Sequence, residues 1–485
     1  MRHGLRRTTL QLWAFIAVIL GLGFAYYGLK PNPIWLVVLG ILVCILRRRN
    51  YIKVCLVVLL ALGLGLWRGG HVQDRLSVYE SLYDQKITLT VRAQQDANYN
   101  KYKQFTFDGG SVETDEDVLL PGKILVSGYG SNSILQGDLV QLEGKLKPAY
   151  GTYVAKMSYA QMTVLEHKPE LIAELRRNFV NGMNNALPEP AASFAMGILV
   201  GQRATLPEAV KQDLLMVGLT HIIAVSGYNL TIILRASKGL LAKQSKRLSL
   251  GLSISLILVF LAITGSSASI VRAAIVSMLS IWALYYGRNI KPINLIALAA
   301  AITAWANPLY VWKDMSWYLS FLAFYGVMVL APLVATRLKP RIRNSLLAMI
   351  AVESICAEIM TLPYVLHNFE QLSLVGLPAN VLVVALIPLA MLLSLFAGLA
   401  GMFAASIAGW IALPAKILIT YMLDIAHVLS KTPHGFMEGI AMSTQQMICL
   451  YSVILIVTSL LWFKIKPESD IITDKKSDKL QGAEA

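Results

Sequence analysis

His221 and Ser226 stand five residues apart in one apolar run, with Gly227 and Asn229 beside them. An imidazole, a hydroxyl and an amide in such a run invite two chemistries: hydrolysis inside a membrane, or the polar lining of a passage. Helical spacing argues against the first. Five residues at about 100° each set the His221 and Ser226 side chains about 140° apart, too far round the helix to bond as base and nucleophile. His221, Asn229 and Ser226 do share one broad face, which suits the wall of a polar cavity. The plainer alternative is a set of polar groups satisfied by neighbouring helices.

Other polar groups sit where apolar ones are the rule. A charge at mid-bilayer costs roughly 2.5–3.5 kcal/mol on insertion scales, so Arg272 needs a partner, a polar route or an interfacial position. Glu353 and Glu358, on another apolar run, are candidate counter-ions. Gly376-Leu377-Pro378-Ala379-Asn380 and Pro388 break a nearly uncharged run, and broken helices at membrane depth line cavities or lie buried in protein. Upstream, residues 197–203, ending in Gly201, Gln202 and Arg203, are apolar but too short to span a bilayer, which takes about 20 residues. They read as a loop. Thr205 and Glu208 then make a capping-box pair around Pro207, so a helix is predicted from there. The chain has no phosphate-cradling G-x-x-x-x-G-K-[ST] motif, and its 7 histidines are scattered. The reading is therefore not an enzyme: no ATPase, no metal, no cofactor and no catalytic residue.

The elements that hold these groups follow from composition. Hydrophobic residues make up 56% of the 485, which points to a polytopic α-helical membrane protein. The formal charge is +15, yet residues 72–168 carry 10 Lys/Arg against 12 Asp/Glu, so the rest of the chain carries about +17. Those cations sit mostly in short loops between apolar runs, the positive-inside pattern. Apolar runs fall at about 10–29, 34–46, 54–67, 219–236, 248–264, 270–286, 292–306, 317–335 and 345–364. Two more fit within 371–415, an external interfacial segment follows at 421–438, and a last run lies at 445–463. About 12 crossings with both termini cytoplasmic agree with the loop charges, and place 72–168 outside a plasma (inner) membrane. The Arg-rich start reads as a retained first span, because no small-residue cleavage site follows it. Cys44, Cys55, Cys356 and Cys449 lie in or beside apolar runs and read as small hydrophobes, with no disulfide expected.

Residues 72–168 show period-2 strands separated by Gly/Asn/Asp turns, which favours a small β-barrel of the OB-like kind. Its aromatics, Tyr99, Tyr102, Phe105 and Tyr153 foremost, are candidates for stacking on bases; the alternative is that most fill the barrel. Leu171, Leu175, Phe179 and Met183 recur at i+4, an amphipathic helix suited to the membrane interface. The domain reading is three leading spans at 1–71, the outer β-domain at 72–168, the amphipathic helix at 169–190, a channel domain with a re-entrant segment at 191–466, and a disordered cytoplasmic tail at 467–485.

Five stretches, in order, resemble one family. Gly197-Ile198-Leu199-Val200-Gly201-Gln202-Arg203 resembles the "GLLLGdr" stretch of the competence DNA-uptake channels known as ComEC. His221-Ile222-Ile223-Ala224-Val225-Ser226-Gly227-Tyr228-Asn229 is similar to that family's "HLLAISGLH". Thr264-Gly265 to Arg272-Ala273, with Gly287-Arg288, resembles its "tG…s..RA…gR" segment. Asn307-Pro308-Leu309, Asp314 and Leu319-Ser320-Phe321 match "NPl…d.gf.LSf", and Leu377-Pro378-Ala379-Asn380 with Pro388 matches "..aN.l..Pl". Asn229 stands where the family usually has histidine, and Gln202 where it often has aspartate. The resemblance implies a channel that passes one DNA strand into the cytoplasm during natural transformation. Its partners would be single-stranded DNA, the bilayer, a surface DNA receptor, a separate nuclease, and a cytoplasmic ATPase or single-strand-binding protein. Many members carry a β-lactamase-like metal-dependent hydrolase domain after the channel. This chain leaves no room for one after residue 463, so no nuclease is expected in it. The rival readings are a transporter of another polymer or lipid-linked substrate, and an intramembrane serine hydrolase at Ser226.

Overall fold

The computed structural model describes residues 7–45, 51–94, 96–99, 104–115, 118–129, 134–167, 171–201, 206–223, 230, 245–264, 268–287, 291–343 and 345–481. Three helices lead: α1 (Arg7–Ala25), α2 (Pro33–Ile45) and α3 (Tyr51–Leu76). Seven strands follow: β1 (Lys86–Ala93), β2 (Asn98–Tyr99), β3 (Gln104–Thr114), β4 (Leu119–Leu120), β5 (Ile124–Tyr129), β6 (Leu139–Pro148) and β7 (Ala155–Glu166). Next come α4 (Leu171–Ala186), α5 (Ala191–Val200), α6 (Glu208–Met216), α7 (Thr220–Ile223), α8 (Lys246–Thr264), α9 (Ala268–Tyr285), α10 (Pro292–Ala306), α11 (Leu309–Lys313) and α12 (Met315–Tyr325). A π-helical turn (Gly326–Leu330) leads into α13 (Ala331–Ala335), and α14 (Pro340–Arg343) precedes α15 (Leu346–Phe369). The chain continues with β8 (Gln371–Ser373), α16 (Gly376–Val384), α17 (Ile387–Phe403), α18 (Ala405–Ile411), α19 (Leu413–Ser430), β9 (Phe436–Glu438) and α20 (Thr444–Gln481).

Among the described residues six helices are long and apolar enough to cross a membrane, or seven if the α16–α17 pair, bent by 51°, is one broken span. Four shorter apolar helices accompany them. The protein is mostly helical, and its apolar helices make it a multi-pass membrane protein.

Two compact units partition the chain. One comprises Met1–Leu206, Ile223–Tyr318 and Met391–Lys416; the other comprises Pro207–Ile222, Leu319–Ala390 and Ile417–Ala485. In the first, α1 and α3 cross through glycine. A Cβ on Gly21 would lie 2.2 Å from the Leu62 carbonyl, and one on Gly65 2.4 Å from that of Val18. Only the bare backbone permits this approach, the usual device of helices packed where water supplies no driving force.

The sheet pairs in the order β1-β6-β7-β5-β3-β2, with β4 on β3, and β1 pairs with β3 as well. All neighbours are antiparallel except β5 and β7, which run parallel. Alternation sends Leu89, Val91, Phe105, Phe107, Ile124, Val126, Leu142 and Met157 to one side, where each is fully buried. That core has two contributors from far along the chain: Leu309 joins it and Trp312 packs against it. Trp312 also donates its indole N–H to the Leu22 carbonyl of α1 at 2.7 Å. The short helix α11 is thus fastened to the sheet and the first span at once.

Two expectations are corrected here. Residues 197–200 are not loop: they are the last turn of α5, a ten-residue helix buried on nearly every side, and Gly201 ends it in the left-handed region at φ 78°. An apolar stretch too short to span is equally suited to a helix buried among others. The two spans placed within 371–415 and the external segment at 421–438 are instead the bent α16–α17 pair and a continuous α19, with β9 folding back on β8. Helix α20 runs past residue 467 to Gln481.

Candidate functional site

The second unit brings together two stretches singled out from sequence: the His221 turn and the break at 376–380. Helix α6 starts at Glu208 after Pro207, with no side chain capping it, and Thr205 of the expected capping box lies outside the described residues. Two anchors hold α6. Asp213 accepts the Ser430 hydroxyl at 2.6 Å and pairs with His427 Nδ1 at 2.8 Å, while the Ser373 hydroxyl donates to the Met216 carbonyl at 2.7 Å. Gly218, at φ 69°, then reverses the chain. A Cβ there would lie 3.6 Å from Ser373 and 3.7 Å from Gly376, so this turn lies against the start of α16.

His221 follows on α7 with Nδ1 3.0 Å from the Gly218 carbonyl. A carbonyl only accepts, so Nδ1 carries the proton and Nε2 presents a lone pair. The ring is exposed. Pro378 is exposed too, while Asn380 lies one turn into α16 with its Oδ1 buried and without a hydrogen-bond partner among the described residues. The turn that carries His221 and the start of α16, which carries Asn380 one turn further on, are thus neighbours through Gly218 and Gly376. Glu353 and Glu358 are half-buried on α15 of the same unit.

In the first unit Arg272 is 1% exposed on α9. Its guanidinium donates to the Ser316 carbonyl at 2.9 Å and finds its counter-charge in Asp314, whose Oδ1 accepts the Ser316 N–H at 2.9 Å. Arg272 thus braces the α11–α12 joint. Gly201 caps α5, whereas Gln202, Arg203, Ser226, Gly227 and Asn229 lie outside the described residues.

The β-domain redistributes the stacking candidates. Phe105 is fully buried, so it fills the core and offers no face to a base. Tyr153 donates its hydroxyl to Asp108 Oδ1 at 2.7 Å and is half-buried. Burial, then the charge and hydrogen bond of Asp108, holds its phenol well above the usual tyrosine range. Tyr99 lies on β2 opposite Phe105, and Tyr102 lies outside the described residues. Two other aromatics of the domain are better placed. Tyr129 and Tyr159 are 56% and 75% exposed, and their rings stack at 6.0 Å between centroids and 23° between planes. Tyr159 adopts φ 58° beside a bulge in the β5–β7 register. Alternation gave no signal for it, since Tyr159 shares the parity of buried Met157 and only the bulge after Ser158 turns it outward; the pairing across a parallel ladder was not readable either.

Residues 198–464 match the model of a family described as Competence protein. ComE operon protein 3 of Bacillus subtilis (strain 168) is 22% identical over 216 residues, covering 44% of this chain and 27% of that protein. The matched part is thus under a third of the length of this curated relative. No solved structure matches. The family match takes in the His221 turn, the Arg272 brace and the broken α16, and covers more than half of the 485 residues: the chain belongs to the Competence protein family, that of the ComEC proteins.

Proposed function

We propose that this protein is a membrane channel that carries single-stranded DNA into the cytoplasm during natural transformation. The observation that supports the reading is the contact of the Gly218 turn with the start of α16, which brings together two separate stretches of the matched region, one carrying His221 and the other Asn380. Residues 197–203, Ser226, Asn229, Arg272, Glu353 and Glu358 would line or support the same route. In this reading about 12 spans cross the plasma membrane, both termini are cytoplasmic and residues 72–168 lie outside. The OB-like assignment of that domain is supported by pairing that passes from β1 through β6, β7, β5 and β3 back to β1, with one parallel contact. Tyr129 and Tyr159 are its stacking platform. A strand also needs cationic or dipolar groups against its phosphates, which the basic loops and the opening of α16 supply. Cutting and driving force come from partners: a receptor, a nuclease, and an ATPase or single-strand-binding protein.

The decisive experiment gives labelled double-stranded DNA to cells with and without this gene and scores cytoplasmic label. Loss of cytoplasmic label with surface label retained supports the channel. Unchanged cytoplasmic label overturns it in favour of a transporter for another polymer.

A further inference from the structure

Three asparagines, Asn178, Asn181 and Asn185, stand three and four residues apart on one face of α4 and line a cavity of about 340 Å³. Gly182, Gly401, Met402 and Phe403 complete the lining. The floor is a backbone crossing of α4 and α17: a Cβ on Gly401 would lie 1.8 Å from the Gly182 carbonyl, and one on Gly182 2.6 Å from that of Gly398. On the other side of α4, Met183 is fully buried and Phe179 packs against Gly398. The asparagines therefore hold the outward face, where all three are exposed, and Phe403 beside them is 81% exposed.

We infer that this groove binds unpaired nucleobases of a passing strand, an inference that rests on the function proposed above. Asparagine is a weak helix former, so a row of three on adjoining turns is not there for helix stability. A carboxamide offers a donor and an acceptor side by side, the pairing that a base edge presents. The lining holds no lysine or arginine, so phosphate is a poor fit. The exposed Phe403 ring supplies a face for stacking. The cavity is large enough for one small planar ligand.

The test uses the full chain in lipid nanodiscs with fluorescent 20-nucleotide single strands, normal or abasic throughout, and measures affinity. Exchanging all three asparagines for alanine is expected to weaken the base-bearing strand about tenfold and leave the abasic strand unchanged, and Phe403→Leu should follow the same pattern less steeply. Equal effects on both strands, or none, overturn the inference while wild-type binding keeps the channel reading alive. A wild type that binds neither strand overturns both. Displacement of the strand by a chitin hexasaccharide from the wild type, but not from the triple variant, reassigns the groove to glycan and overturns the base assignment.

Discussion

Arg272 has the residue type that a DNA route calls for, yet its burial gives it a different duty. Removing the buried guanidinium leaves the Ser316 carbonyl without its donor and a cavity behind, at a cost of about 2–5 kcal/mol. Arg272→Ala should therefore lower the thermal unfolding temperature of the purified chain sharply, and pairing it with Asp314→Leu should recover much of the loss. Recovery of stability without recovery of DNA uptake would instead mark a direct role for the guanidinium. In the β-domain, Tyr129→Ala and Tyr159→Ala should each cost about 1–3 kcal/mol of single-strand affinity, read by anisotropy at fixed salt, with folding preserved. Phe105→Ala should do the reverse, destabilising by about 3–5 kcal/mol through the cavity it leaves. Tyr153 makes a pH prediction. Its folded pKa is raised, so its contribution is fully present below the unfolded value near 10 and is lost as pH climbs beyond it. Tyr153→Phe should flatten the alkaline fall in stability that wild type shows above that pH.

Elements differ in how much of them could be read in advance. Helices α1, α8, α9, α10 and α15 were legible because long apolar runs leave one folding solution in a bilayer, and α10 runs over the expected residues, with Pro292 in its first turn. The α5 helix was not legible: Gly197 within it and Gly201 at its end, in a length of ten residues, look the same in a loop and in a buried helix. Burial parity on β3 was also open, since a one-residue shift turns Phe105 outward, and only the partner strands fix which side is filled. His221 was singled out from sequence, as part of a span at about 219–236, whereas the meeting of its turn with Ser373 and Gly376 is a contact across more than 150 residues that no local pattern carries. At this scale Gly218→Ala is the informative change. A Cβ there meets only ordinary contacts, so its cost is that of the left-handed backbone, about 1–2 kcal/mol, and a melting curve unchanged by the substitution would remove the strain argument.

For the whole molecule the outside placement of residues 72–168 is the assumption on which most else rests. Tyr150 is 89% exposed there. Placed as a lone cysteine in a chain whose four natural free thiols are serine, it should react with an impermeant maleimide added to intact cells; reaction only after lysis would invert the topology. If the placement holds, the seating of Leu309 and Trp312 at the sheet core makes the β-domain a poor independent module and a good mechanical part. A domain on a slack tether would stretch that tether first when a bound strand was pulled. Here the load would pass within a few ångströms from sheet to α11, and from there through the Trp312 indole into α1 and through the Arg272 brace into α9. Tension on a strand held by the β-domain would then be felt by the helices without delay.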